Sequence, residues 1–347
     1  MKNKKILILQ NVILHYRKAL YNELSKKYDV TILHSGKPTV NSNDNYKEII
    51  VRNVKVGPFF IQSNIYKEIG SKKYDAVISM FDLRWINNIL TFLIYRKHIK
   101  YIWWGAWFTK SKLANSVRLL LTNLAESNIL YTESAKKEFI KKGVNEDKLF
   151  VANNTFDVGL RIKSFENEIK NTIIFIGSLD KRKQIDILIN AYSNIKDKLS
   201  NNIKLLIVGD GKEREKLEIQ VSELKLNNYV LFLGKVNDLN KLHDIYKTAI
   251  VSASFGQAGL SVLQSFGFGV PFITKENAIS GGEKTNIIHG ENGFFCEDNC
   301  ESLEINLIRM INDIEYARKL GKFAFDYYTN YCTIENMAKG IEDAIEA

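Results

Sequence analysis

A run of three cations, Lys181-Arg182-Lys183, and a glycine-rich loop, Phe255-Gly256-Gln257-Ala258-Gly259, are the stretches of this chain best suited to meet an anion. The loop is small enough for backbone N–H groups to approach a ligand closely. Leu260 to Phe266 follows it, apolar with Ser261, Gln264 and Ser265 interleaved, as in a short helix packed on one side. A glycine loop feeding a helix start gathers unpaired N–H groups and the positive end of the helix dipole, which is phosphate-binding chemistry. A plain strand-to-helix turn has the same letters, and a solvated loop is the alternative reading of the three cations. Metal chemistry finds less support. Cys296 and Cys300 lie four apart, but no histidine stands near them at ligand spacing, and no Asp-x-Asp occurs in a suitable loop.

These stretches need elements to hold them. Lys5 to Gln10 (KILILQ) is a continuous apolar run, the mark of a parallel strand buried on both faces. The first half then alternates. Strands are expected at 30–34, 47–56, 74–80, 100–104, 129–132 and 150–153, and helices at 15–27, 86–95, 113–125 and 135–142. The second half repeats the theme, with strands at 171–177, 204–209, 230–234, 249–252, 271–274 and 292–295. Its helices fall at 185–195, 213–224, 239–246 and 260–266, and three more close the chain at 303–314, 315–328 and 334–345. This alternation, with right-handed crossovers, gives an α/β protein of two doubly wound, Rossmann-like domains. A length of 347 residues with 45% hydrophobic content suits two domains with full cores. The polar segment Asp157 to Glu168 reads as the linker. The domains are then 1–160 and 161–347, with the last helix free to pack back on the first domain. Two such domains set two rows of strand carboxyl ends across a central cleft, where ligands bind.

Four stretches of the second half follow strand ends in order: Gly177-Ser178-Leu179-Asp180-Lys181-Arg182-Lys183, Val208-Gly209-Asp210-Gly211, Phe232-Leu233-Gly234-Lys235-Val236, and Gly259 to Gln264 with Gly269-Val270-Pro271. Together, at these spacings, they resemble the GT-B glycosyltransferases, and most of all the retaining, nucleotide-sugar-dependent family four. The resemblance covers residues 171–345; over 1–160 it rests on topology. It implies that Lys183, with Arg182, meets the diphosphate of the donor, beside the turns at Gly177, Ser178, Gly209 and Asp210. It implies that backbone around Lys235 and Val236 brackets the nucleobase, and that amides near Ala258, Gly259 and Leu260 hold the donor's sugar and phosphate. Three positions depart from the family pattern. Gly256 and Gln264 stand where the two Glu residues of its Glu-x7-Glu stretch belong, and Ser178 stands in place of an Arg. Gln264 can still bond a ribose diol, more weakly than a carboxylate would, or it is a solvated helix position. Gly256 has no side chain to offer a sugar hydroxyl, which leaves an unusual donor sugar or Gln257 in that role. A leaving nucleoside diphosphate carries at least two negative charges. Cationic side chains and helix N-termini are expected to meet them without a metal, the nucleotide sugar being a co-substrate and no cofactor being required.

Acceptor chemistry is expected in loops of the first half: 11–17, 81–85 and 103–108. They supply Tyr16, Arg17, Arg84, Trp104, Gly105 and Trp107 as acceptor-binding residues, since exposed aromatic planes suit sugar rings. The tryptophans read equally as core or membrane-facing packing. Many relatives carry a His in the loop after the fifth strand; here Ala106 and Trp107 stand there. His15, Asp82 or a donor phosphate oxygen remains to take the acceptor's proton, and His15 reads equally as a helix-start residue.

Charge separates the halves. Residues 1–160 carry 26 Lys and Arg against 13 Asp and Glu, whereas residues 161–347 carry 23 against 26. The basic half suits an anionic partner: a phospholipid surface, a phosphorylated acceptor or a nucleic acid. Residues 92–112 interleave cations with aromatics, which fits peripheral binding to anionic headgroups. No nucleic-acid-binding motif is present, and no Gly-x-Gly-x-x-Gly follows the first strand, which disfavours a nucleic-acid binder and a Rossmann oxidoreductase. No run of about 18 apolar residues suggests a membrane span, and three unpaired cysteines fit a reducing cytoplasm. The expected function is a glycosyltransferase at the inner face of the cytoplasmic membrane. It moves sugar from a UDP- or GDP-sugar to a saccharide acceptor, lipid-linked, for surface polysaccharide. The alternatives are a soluble acceptor or a non-catalytic binder of sugar nucleotides.

Overall fold

Continuous apolar runs become the central strands of two parallel sheets in a computed structural model, which describes residues 4–159, 162–199 and 203–347. The chain divides into two units, Met1–Asn153 with Ile334–Ala347, and Asn154–Thr333. The expected boundary at 160 and 161 lies outside the described residues, as does that part of the 157–168 linker.

The first unit contains strands β1 (Lys5–Leu9), β2 (Asp29–His34), β3 (Lys47–Ile50), β4 (Asn53–Val56), β5 (Phe59–Gln62), β6 (Ala76–Met80), β7 (Lys100–Trp104), β8 (Ser127–Leu130) and β9 (Leu149–Val151). Its helices are α1 (Lys18–Leu24), α2 (Ile65–Gly70), α3 (Ile86–Tyr95), α4 (Lys112–Leu124) and α5 (Glu133–Lys141). Seven strands form one parallel sheet in the order β3-β2-β1-β6-β7-β8-β9. Ile6 to Leu9 are fully buried, because β1 lies mid-sheet with both faces covered. Two expectations change. Residues 47–56 are two strands, not one. β3 pairs with β2 only as far as His34, where β2 ends. The backbone beyond needs other partners, and β4 finds them in β5, an antiparallel hairpin turned at Gly57-Pro58. The helix expected from His15 starts with a single 3-10 turn, His15–Arg17, before α1.

The second unit contains β10 (Thr172–Ile176), β11 (Lys204–Val208), β12 (Val230–Gly234), β13 (Ala249–Ala253), β14 (Phe272–Lys275) and β15 (Gly293–Cys296). Its helices are α6 (Ile185–Ile195), α7 (Arg214–Glu223), α8 (Leu239–Lys247), α9 (Ser261–Gly267), α10 (Cys300–Asn312) and α11 (Ile314–Tyr331). The parallel order is β12-β11-β10-β13-β14-β15. Strand order therefore reverses between β10 and β13, which opens a crevice outside their carboxyl ends.

The closing helix α12 (Ile334–Glu346) belongs to the first unit. Its apolar stripe, Ile334, Met337, Ala338, Ile341, Ala344 and Ile345, is buried with Ile6, Leu20, Ile32 and Trp104. Its far end is tied by Tyr28 donating to Glu346 at 2.8 Å.

Candidate functional site

Both anion-suited stretches lie at the β10/β13 crevice, one after each strand. The loop after β10 is pinned to its neighbours: the Leu179 N–H donates to the Asp210 carbonyl at 3.0 Å, and Glu213 N–H to the Leu179 carbonyl at 3.0 Å. Gly209 crosses so close, with φ +143°, that a Cβ there would sit 1.8 Å from the Gly177 carbonyl oxygen. Asp180 then caps the 3-10 turn Lys181–Lys183 by accepting from the Arg182 N–H at 3.2 Å. The Arg182 guanidinium folds back on the same carboxylate, with Nε and Nη2 donating at 3.1 and 3.0 Å, and Ser178 Oγ donates to it at 2.7 Å. Arg182, followed by Ser178, holds the Asp180 pKa down at about 2. Arg182 is thus exposed and already paired.

Lys183 is placed differently. It is only 8% exposed, and its ammonium makes no ion pair or hydrogen bond among the described residues. It lies between two glycines: a Cβ on Gly177 would be 3.7 Å from Nζ, and one on Gly259 would be 3.9 Å from it. Burial pushes the Lys183 pKa down, aided by Arg182 and opposed by Asp180 and Glu283. An unpaired buried cation is costly and calls for an anionic partner.

The glycine loop after β13 packs on this lysine's own backbone. Gly256 N–H donates to the Lys183 carbonyl at 3.0 Å, and a Cβ at 256 would lie 2.2 Å from the Arg182 carbonyl oxygen and 2.8 Å from Gln184 Cγ. Position 256 is closed to any side chain. The Ala258 amide, expected to serve a ligand, is spent on the Ile279 carbonyl at 2.9 Å. The Gly259 and Leu260 N–H groups have no partner among the described residues. Gln264 is 5% exposed on α9, so it is not a solvated helix position. Gln257 is half-buried, and its Oε1 lies buried without a donor. Asp210 and Lys235 are exposed at the ends of β11 and β12, with Val236 half-buried beside them.

The residues expected to serve the acceptor fall within the first unit, and several are already engaged. Trp104 is 2% exposed, so it presents no open face to a sugar. The Arg17 guanidinium covers it at 4.8 Å from the ring centroid and also reaches Tyr131 Oη and Met337 Sδ, both at 3.4 Å. Arg17 therefore clamps α12 to the unit. Tyr16 lies against the same guanidinium at 5.4 Å, with the exposed His15 ring edge-on to it. Gly105 turns with φ +80° against the Tyr131 ring. Asp82 is buried, which works to raise its pKa, but Arg84 bonds it through Nε, Nη2 and the backbone N–H and holds it below the usual carboxylate range. Trp107, 45% exposed, is the aromatic of this group that faces outward.

Glu283, Asn154 and Gln184 were not legible as site residues. Glu283 is 7% exposed and reaches the Lys183 region from the β14–β15 connection. Nothing in its local sequence marks that approach. Among the described residues there is no cluster of three or more His, Cys, Asp or Glu that could hold a metal ion, and no helix is long and apolar enough to cross a membrane.

Residues 160–326 match the family model described as glycosyl transferases group 1. An uncharacterised glycosyltransferase of Haemophilus influenzae is 27% identical over 225 residues, 63% of this chain and 62% of its own length. A Campylobacter jejuni N-acetyl-D-galactosaminyltransferase, named for a PP-undecaprenol-linked saccharide, is 29% identical over 159 residues, 45% of this chain and 42% of its own. The matches thus span less than two thirds of these relatives. The crystal structure of Anabaena HepE in complex with UDP superposes with a TM-score of 0.76 at 17% identity, covering 99% of both chains. The two doubly wound sheets are those of the GT-B fold.

Proposed function

We propose that this chain, a group 1 glycosyl transferase over residues 160–326, moves a sugar from a UDP- or GDP-sugar to a saccharide acceptor with retention of anomeric configuration. The observation that carries this is the buried, unpartnered Lys183 ammonium at the strand-order switch of the second unit. The diphosphate oxygens meet Lys183 and the free N–H groups of Gly259 and Leu260. Such contacts strengthen as the leaving group gains charge, and each typically supplies about 3 kcal/mol of barrier lowering. An acceptor hydroxyl oxygen bonds the anomeric carbon as the bond to the diphosphate breaks. Its proton goes to the departing phosphate oxygen, which suits a chain whose Asp82 is held by Arg84 and whose His15 is a surface residue.

The acceptor is read as lipid-linked and the setting as the inner membrane face, within surface polysaccharide synthesis. Two observations support this. The Campylobacter relative is named for such a lipid-linked saccharide. In the first unit, α4 exposes Leu113, Val117 and Leu120 on one face, next to the exposed cations Lys110 and Lys112 at its start, as an interfacial helix does. Sedimentation with vesicles containing phosphatidylglycerol, weakened by salt, is the expected result; equal recovery without anionic lipid points to a soluble acceptor. The second reading is a binder without turnover, favoured by a position 256 closed to side chains and by the Asp180-bound state of Arg182. Incubating the purified chain with UDP- and GDP-sugars and measuring release of free nucleotide separates the two. Binding without release on any acceptor or water refutes transfer.

A further inference from the structure

Among the described residues, four buried side-chain oxygens of the second unit have no hydrogen-bond partner: Gln184 Oε1 and Gln257 Oε1 beside the closed position 256, Ser261 Oγ at the start of α9, and Asn154 Oδ1 on the residue that bonds Glu283. Each such acceptor costs about 1–3 kcal/mol while unpaired. Acceptors without donors call for a ligand rich in O–H groups. The same neighbourhood holds a buried carboxylate. Glu283 accepts from Asn154 Nδ2 at 2.8 Å, from the Gly281 N–H at 3.0 Å and from Ser280 Oγ at 3.3 Å. Those three bonds leave about one of its four lone-pair sites open.

The loop that carries it is registered on the glycine loop. Ile279 N–H donates to the Gly256 carbonyl at 3.0 Å, and Ala258 N–H returns to the Ile279 carbonyl at 2.9 Å. Glu283 is close enough to Lys183 for its charge to act on the ammonium, yet the two form no ion pair among the described residues. A buried carboxylate and a buried ammonium that feel each other's charge without pairing can each take a different part of one ligand. Phosphate satisfies the ammonium, and hydroxyls satisfy the carboxylate.

We infer that Glu283, oriented by Asn154 and by Ser280-Gly281, grips the hydroxyls of the transferred sugar, with Gln257 Oε1 and Asn154 Oδ1 as further acceptors. This rests on the donor assignment above and deepens it. The site then takes a donor sugar with free neighbouring hydroxyls, read by a residue on the β14–β15 connection and not by the glycine loop.

The test is Glu283→Gln, which keeps shape and removes charge. Binding of UDP, GDP, UDP-glucose, UDP-galactose, UDP-N-acetylglucosamine and GDP-mannose is measured by calorimetry on wild type and variant. The best sugar nucleotide is expected to bind wild type at least tenfold more tightly than its own free nucleotide. In the variant that increment disappears while the affinity for free nucleotide stays within twofold. Wild type that binds none of the six overturns the donor assignment and this inference with it. Wild type that binds a nucleotide without any sugar increment overturns the inference alone. So does a variant that keeps the increment, or one that loses sugar nucleotide and free nucleotide equally. If Glu283→Gln does not fold, Asn154→Ala reads the same increment with the carboxylate retained but no longer oriented.

Discussion

Replacing Lys183 by Met moves two quantities in opposite directions. Met has a similar length and enough flexibility to fill the space between Gly177 and Gly259. The substitution removes a cation that is 8% exposed and without a partner. Losing one charge-assisted contact to a diphosphate costs about 1.5–3 kcal/mol, and about 1.4 kcal/mol is tenfold in affinity. The Kd for UDP or GDP, whichever binds, is expected to rise by about ten- to a hundredfold in calorimetry. Stability moves the other way. Burial lowers the Lys183 pKa in the folded state, so at neutral pH the folded chain carries a charge that the unfolded chain solvates better. Met relieves that cost, and an apparent Tm higher by roughly 2–4 °C corresponds to about 1 kcal/mol in a unit of this size. The sign with pH follows. Wild-type stability rises as pH climbs from the lowered pKa towards the unfolded lysine value of about 10.4. In Lys183→Met that rise is absent. Nucleotide affinity falls over the same alkaline range, because the ammonium is lost earlier than in an ordinary lysine. A nucleotide Kd unchanged within twofold refutes the phosphate role. A Tm that drops by several degrees refutes the unpartnered state of the lysine.

Other consequences are open to equally direct measurement. Gly256→Ala forces a Cβ to 2.2 Å from the Arg182 carbonyl oxygen; a loss of about 1–3 kcal/mol in chemical denaturation is expected, and wild-type stability contradicts the packing described for this loop. Arg17→Ala removes the cation over Trp104 and the reach to Tyr131 and Met337. It should lower stability by about 1–3 kcal/mol and speed proteolysis at the α12 end, whereas a residue that served the acceptor alone would leave both unchanged. Burial pushes the thiols of Cys296 and Cys332 up to about 12 and that of Cys300 to about 11, the last also through Glu304. A disulfide reagent at neutral pH should therefore label the native protein slowly and all three cysteines after denaturation; rapid labelling of the native chain would falsify that account.

What the linear order of residues settled was local. Apolar runs such as 5–10 and 204–209 gave the buried parallel strands, because a strand covered on both faces needs no alternation. Glycines after those strands, together with Lys183 and Gln264, marked the edge at which the donor is proposed to bind. Tertiary structure decided which of those groups are free. Arg182 and Lys183 are neighbours with like charge, yet Asp180 engages one while burial isolates the other. Trp104 reads as a sugar platform until Arg17 and α12 cover it. Residues 47–56 split because β2 runs out at His34, a fact held some fifteen residues earlier in the chain. The connection that carries Glu283 meets the glycine loop only because β14 lies beside β13 and that connection pairs at Ile279. Periodicity and turn chemistry act over a few residues and can be read along the chain. Burial and pairing depend on which distant loops the sheet order brings to one edge, and no window of sequence contains that order.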